Sequence, residues 1–276
     1  MRPPSAAPAI VWICAIALAT SAWAQSAPAT TPIDEAQRHL YSARFEEAAA
    51  TAARLIAAEP DNLAAYEVRT SALHFQIRRL VGDSKDKKTA LARCTDCPAL
   101  LAAFLDDVNR GRAVARERIA KDAMDHEASF FLGKLDLSYL WLQLSTVDRK
   151  TGWKEYWEAK KVLEDLIEHD PMHVRARTAR AWMDYIVGTR VPWGTRWLMG
   201  GGSKSRGLKM VREASATPTD YYTQVEAQFA LQEMLTREGK RDEAVAMAKE
   251  LLVKFPDNKD LTKFVESGGK PTTAGG

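Results

Sequence analysis

Phe45-Glu46-Glu47-Ala48, Leu55-Ile56 and Pro60-Asp61-Asn62 set a pattern that returns twice in this 276-residue chain. It recurs as Tyr156-Trp157-Glu158-Ala159, Leu166-Ile167 and Pro171-Met172-His173, and again as Arg241-Asp242-Glu243-Ala244, Leu251-Leu252 and Pro256-Asp257-Asn258. The three copies align without gaps. A small Ala lets a neighbouring helix approach closely, the apolar pair two turns later continues the same face, and Pro ends the segment and opens a turn. Each copy therefore reads as the second helix of an antiparallel pair, and self-similarity of this kind marks a stacked array.

Working outward, Asp34–Ala43 and Val225–Arg237 precede the first and last copies as partner helices, the latter stopped by Gly239. Ala128–Leu144 precedes the middle copy and carries Leu132-Gly133, but Ala159 follows Gly133 by 26 residues, where an ordinary repeat needs about 12. The surplus predicts a hairpin whose two helices extend beyond the array. Leu63–Val81 with Ala99–Lys121, and Val174–Val187 with Ser205–Ala216, read as two further pairs, interrupted by the polar stretch 82–97 and by Gly188–Ser203. Strand-type alternation is nowhere sustained.

These residues resemble the tetratricopeptide repeat (TPR) family, whose signature includes an aromatic residue or Gly ahead of the Ala and a Pro-x-Asn ending. Phe45, Tyr156 and Gly239 match the first feature, and Asn62 and Asn258 the second. His173 replaces the closing Asn, and the Trp and Leu-Gly of the family's first helix are mostly not kept, so the repeats are degenerate. The resemblance implies an all-α, right-handed α-solenoid of about five antiparallel helix pairs. It also implies a concave groove for a peptide or protein, lined by first helices. Arg38, Tyr41, Tyr66, Arg69, Arg177 and Asp184 lie on those helices and are the groove candidates.

Composition bounds the rest. With 46% hydrophobic and 27% charged residues the chain can bury a core, and a formal net charge of +3 without a dense basic run argues against nucleic acid as partner. Arg2, the apolar run 9–19 and Ala22-Trp23-Ala24 ahead of Gln25 predict a secretory signal over residues 1–24. The run, 11 residues long, falls short of the roughly 20 that cross a bilayer. The expected organisation is then a flexible leader over 25–33, a TPR-like domain over 34–266 and a disordered tail over 267–276, in a periplasmic or secreted protein.

Cys94-Thr95-Asp96-Cys97-Pro98 holds the two cysteines left after signal removal. A structural disulfide pinning the helix that follows is the simpler reading, because a redox dithiol belongs after a strand and haem attachment needs His where Pro98 stands. Gly200-Gly201-Gly202-Ser203-Lys204-Ser205 lacks the Gly directly before Lys that a phosphate loop requires, and reads as a flexible entry to a capped helix. His169 and His173 are separated by Pro171, which breaks the helix that would pair them as metal ligands. No metal or cofactor is expected, and no motif of an enzyme is legible.

Trp141, Trp153, Trp157, Trp182, Trp193 and Trp197, the tryptophans beyond residue 24, fall within 57 residues. Trp141 and Trp182 read as core, whereas Trp193 and Trp197 are candidates for a binding surface, for a protein or at a lipid interface. The functional expectation is a non-enzymatic exported scaffold that binds a peptide, a protein or an envelope component. Two alternatives stand beside it: a ligand-binding accessory of an envelope transporter with a Trp-lined pocket, and a thiol oxidoreductase acting through Cys94 and Cys97.

Overall fold

A computed structural model describes residues 31–82, 84, 86–147 and 151–270. The expected signal and most of the leader and tail lie outside these residues. Twelve α-helices and no strand occur among the described residues. Five antiparallel pairs follow in chain order: α1 (Pro32–Tyr41) with α2 (Phe45–Ala58), α3 (Leu63–Val81) with α5 (Cys97–Lys121), α6 (His126–Trp141) with α7 (Trp153–His169), α8 (Val174–Arg190) with α9 (Lys204–Ala216), and α10 (Tyr221–Arg237) with α11 (Arg241–Lys254). α4 (Lys87–Arg93) sits in the connection within the second pair, and α12 (Lys259–Glu266) closes the array. The fold is the expected all-α, TPR-like solenoid.

The repeated motif acts as its chemistry requires. Ala48, Ala159 and Ala244 are fully buried, and Leu55, Leu166 and Leu251 are buried below them. Past the Pro turn, Asn62, His173 and Asn258 each accept a hydrogen bond from the backbone N–H three residues on, at 3.0, 3.1 and 2.9 Å. His173 thus replaces Asn as an N-cap through Nδ1. Thr31, Asp125 and Asp220 cap α1, α6 and α10 in the same way, so all five first helices start on a side-chain cap.

Several boundaries differ from the sequence reading. Thr31 and Asp34 form a reciprocal capping box with Pro32 in the first turn, which starts α1 two residues before the expected position 34. The middle hairpin does not extend evenly. Its surplus goes into a π-helical turn, Leu142–Val147, a connection, and one extra turn at the start of α7. The interruptions 82–97 and Gly188–Ser203 contain α4 and a 3₁₀ segment, Trp193–Met199.

The array also bends far enough for its two ends to meet. Tyr41 stacks on Phe229 and Tyr222 and packs against Phe255, with centroids 5.2, 6.2 and 5.8 Å away. The Tyr222 hydroxyl donates to the Asp34 carbonyl at 2.9 Å, and Asn258 Nδ2 donates to the Tyr41 carbonyl at 2.7 Å. Arg44 pairs with Asp257 at 3.3 Å and Arg79 with Asp260 at 2.9 Å. The two ends of the array are thereby joined by aromatic packing and four polar contacts, one of them made by Arg79 of α3.

One strained position lies beside this junction. Ala43, in the α1–α2 turn, has φ 57°, and the equivalent place between α10 and α11 is Gly239 with φ 68°. A Cβ in the left-handed region costs about 1–2 kcal/mol. Ala43→Gly is expected to leave the fold unchanged and raise the unfolding free energy by about 1 kcal/mol in chemical denaturation, part of the relief being lost to greater freedom of the unfolded chain.

Candidate functional site

The first helices α1, α3, α6, α8 and α10 face the inside of the bend, where a groove would lie. Glu67 of α3, Lys134 of α6, Arg175 of α8 and Glu226 of α10 fill it instead, as a closed square of opposite charges. Lys134 Nζ is 2.6 Å from Glu226 and 3.4 Å from Glu67, while Arg175 reaches Glu226 at 2.7 Å and Glu67 at 3.4 Å. Arg175 also lies over the rings of Phe130 and Phe131. Burial alone pushes the Glu226 carboxyl up, but Arg175 and Lys134 reverse this and hold it well below the usual carboxylate range. The two carboxylates, Glu226 first, outweigh burial at Lys134 and Arg175 and hold both cations in their charged forms.

The groove candidates are correspondingly used by the fold. Tyr41 belongs to the aromatic junction, where burial, with Glu226 and Glu67 nearby, holds its phenol well above the ordinary value. Tyr66 is buried and donates to the Pro60 carbonyl at 3.1 Å. Arg69 is paired with the fully buried Asp107 at 2.7 Å, and Arg177 with Glu213 at 3.3 Å. Asp184, 2% exposed, accepts from Arg206 through both oxygens at 2.7 Å and meets Arg180 at 2.7 Å. Arg38 lies in the last turn of α1 beside Tyr222. These residues do not form one open patch.

The aromatic candidates lie elsewhere. Trp193 is 84% exposed, Trp197 73% and Leu198 53%, on the 3₁₀ segment between α8 and α9. The segment is firmly mounted: Met199 is buried in the core, its carbonyl accepts from the Tyr156 hydroxyl at 2.8 Å, and Arg196 donates to the carbonyls of Val191 and Gly188 at 3.0 and 2.6 Å. The left-handed Gly200, φ 70°, brings the chain against α7, where a Cβ would stand 2.8 Å from Lys160 and 3.5 Å from the Trp157 ring. Trp157 and, one turn earlier, Trp153 are themselves exposed. Trp141 and Trp182, by contrast, are partly buried and meet edge-to-face at 6.1 Å. The exposed indoles of Trp193 and Trp197 thus share an edge with Trp157, which adjoins their segment at Gly200.

Cys94 and Cys97 form a disulfide at the start of α5, with Cys97 buried. Ser203 caps α9, so the glycine run serves as a helix entry. His173 caps α8, and no cluster of metal-binding side chains is found among the described residues. His74 Nε2 lies 3.0 Å from Thr146 Oγ1 and 3.5 Å from Ser145 Oγ on the π-helical turn. Burial, with Arg78 adding, pushes this imidazole down to about 4. The charge square was not legible from sequence: each member is an ordinary charged helix residue, and its partners lie 51 to 108 positions away along the chain.

No family model and no curated protein matches the chain. Among solved structures it is similar to TTC0263, a thermophilic TPR protein of Thermus thermophilus, at 17% sequence identity, over 86% of this chain and 96% of that one, with a TM-score of 0.48. The fold assignment rests on the helices and motif contacts of this chain itself.

Two outcomes follow. Glu226→Gln removes one charge of the square and leaves two cations facing Glu67 alone; the unfolding free energy is expected to fall by about 3–5 kcal/mol, read by urea denaturation. Replacing all four residues by Leu or Met together should recover most of that loss. For His74, the folded pKa lies below the unfolded value of about 6.5, so unfolding takes up a proton on acidification. Its contribution is complete above that pH and is lost as pH falls towards 4. Asp107 and Asp136, pushed up by burial to about 6 and about 7, have the opposite sign. Melting temperatures of wild type and His74→Gln across this range are therefore compared: the variant should lose less stability between pH ~6.5 and 4.

Proposed function

We propose that this chain is an exported, non-enzymatic, TPR-like scaffold that binds a component of the cell envelope through the Trp193–Leu198 edge, with Trp157 beside it, rather than through its inner lining. One observation carries this reading: two indoles more than 70% exposed stand on a segment whose backbone is tied down by Tyr156, Arg196 and buried Met199. Large apolar rings held rigidly in solvent gain nothing for folding, and gain contact area at low entropic cost when a partner covers them. Insertions between paired helices commonly map to the binding side of a repeat array. The inner lining, occupied by the charge square, offers a peptide no free row of side chains.

The ligand-pocket alternative requires Trp193 inside a closed cavity, and its exposure speaks against that use. The redox alternative requires an accessible Cys94, and this residue is partly exposed; what speaks against it is the setting, since the pair lies at the junction of two helices, α4 and α5, and not after a strand. The scaffold reading is tested by affinity capture from a detergent-solubilised envelope extract with wild type, Trp193→Ala, Trp197→Ala and the double variant. Capture of a specific envelope component should fall roughly tenfold or more in the double variant, with an unchanged circular dichroism spectrum. Equal capture by all four proteins would remove the edge from the proposal.

A further inference from the structure

The Trp edge differs from the rest of the molecule in charge as well as in aromatic content. Between Asp184 and Glu213 the chain has no acidic residue, yet it carries Arg190, Arg196, Lys204, Arg206, Lys209 and Arg212. Across the whole sequence the two signs nearly balance, 39 basic against 36 acidic. Some of these cations are engaged: Arg206 by Asp184, Lys204 by Glu238, and Arg212 by Glu243. Arg190 is exposed with no acidic partner among the described residues, and Arg196 is held by carbonyl groups, so neither positive charge is neutralised by a carboxylate.

Of the acidic residues on the neighbouring helix α7, Glu164 is engaged by Lys160 and Arg180. Glu155 and Glu158 of α7 turn towards Arg112 and Arg116 of α5, away from the loop. Trp157 and Lys160 occupy the face that meets Gly200, and Trp153 lies one turn before Trp157 on the same helix. Beside the 3₁₀ segment a shallow cleft is lined by Gly188, Thr189, Arg196, Ser203, Lys204 and Ser205, a lining without a carboxylate. The edge thus combines protruding indoles, unneutralised guanidinium groups and a small cleft rich in hydrogen-bond donors.

We infer that this edge docks on an anionic bilayer surface, with Trp193 and Trp197 entering the headgroup layer and Arg190 and Arg196 facing lipid phosphate. Indole is favoured at the membrane–water interface because its ring is apolar and its N–H still finds a polar partner. Basic groups next to it add attraction to anionic headgroups that decays within a Debye length. Here Trp193 and Trp197 protrude into solvent, which suits a soft, laterally uniform surface. The described helices include none long and apolar enough to span a membrane, so the association inferred is peripheral. It rests on the reading that the edge is the binding surface and names what it binds.

The helical body beginning at Thr31 is a compact unit by itself, so the test uses the chain from Gln25 onward, free of the apolar run 9–19. The probes are vesicles of phosphatidylcholine mixed with phosphatidylglycerol, against pure phosphatidylcholine vesicles, read by flotation and by the blue shift of Trp emission. Wild type should float with the anionic vesicles and not the neutral ones, and lose binding as salt rises. Trp193→Ser/Trp197→Ser should lower partitioning roughly tenfold, and Arg190→Glu several-fold, both with wild-type melting temperatures because these side chains lie outside the core. Failure of wild type to float, or equal flotation of the double Trp variant, overturns the inference. If that failure coincides with Trp-dependent capture of an envelope protein, the bilayer is excluded and the scaffold reading stands; if capture is also insensitive to the Trp variants, both fall.

Discussion

Four charges contributed by four helices neutralise one another on the inside of the bend, and much else depends on that square. Glu67, Lys134, Arg175 and Glu226 come from the second, third, fourth and fifth pairs, and each cation touches both carboxylates. Such groups are costly to remove from water and are tolerated only with complete pairing. The cost falls steeply on any arrangement in which one helix slides relative to the others. Hydrophobic contacts between neighbouring pairs fix local stacking; the square fixes how sharply the successive pairs turn. Aromatic packing of Tyr41 with Phe229 and Phe255 then becomes possible at the junction.

Much of the fold was legible because its determinants are local. The Ala, the apolar pair and the Pro lie within thirteen residues of one another, and the cap that starts the next helix is two residues further on. The first, third and fifth pairs were therefore readable from the motif, down to Gly239 as a helix stop, and the second and fourth from helical spacing and composition. Less legible were features made by contact between distant segments. The left-handed Ala43 gives no local signal, and the π-helical turn depends on packing of Leu142, Gln143 and Thr146 against other helices. Asp184 could be placed on a first helix, but its capture by Arg206 depends on how α8 and α9 approach.

The candidate surface was half legible. Clustering of tryptophans pointed to Trp193 and Trp197, since six indoles in 57 residues exceed what a regular array needs. Which of the six would be buried depended on the tertiary path: Trp182 lies against Tyr185 and Trp141, while Trp193 has no such neighbours within the fold. The acid-free stretch between Asp184 and Glu213 was present in the sequence all along. Its meaning emerges only when α7 is seen to turn Glu155 and Glu158 away from it.

Contact between the terminal pairs changes how such an array responds to disturbance. An open stack of repeats can unravel from either end, one unit at a time, because an outermost unit has a single neighbour. Here α1 is tied through Asp34 and Tyr41 to α10 and to the cap of α12, so the outermost units guard each other. Peeling must begin by breaking two interfaces at once, which favours all-or-none melting over progressive fraying. Lengthening by an inserted repeat, a change that open stacks absorb easily, would here force the ends apart.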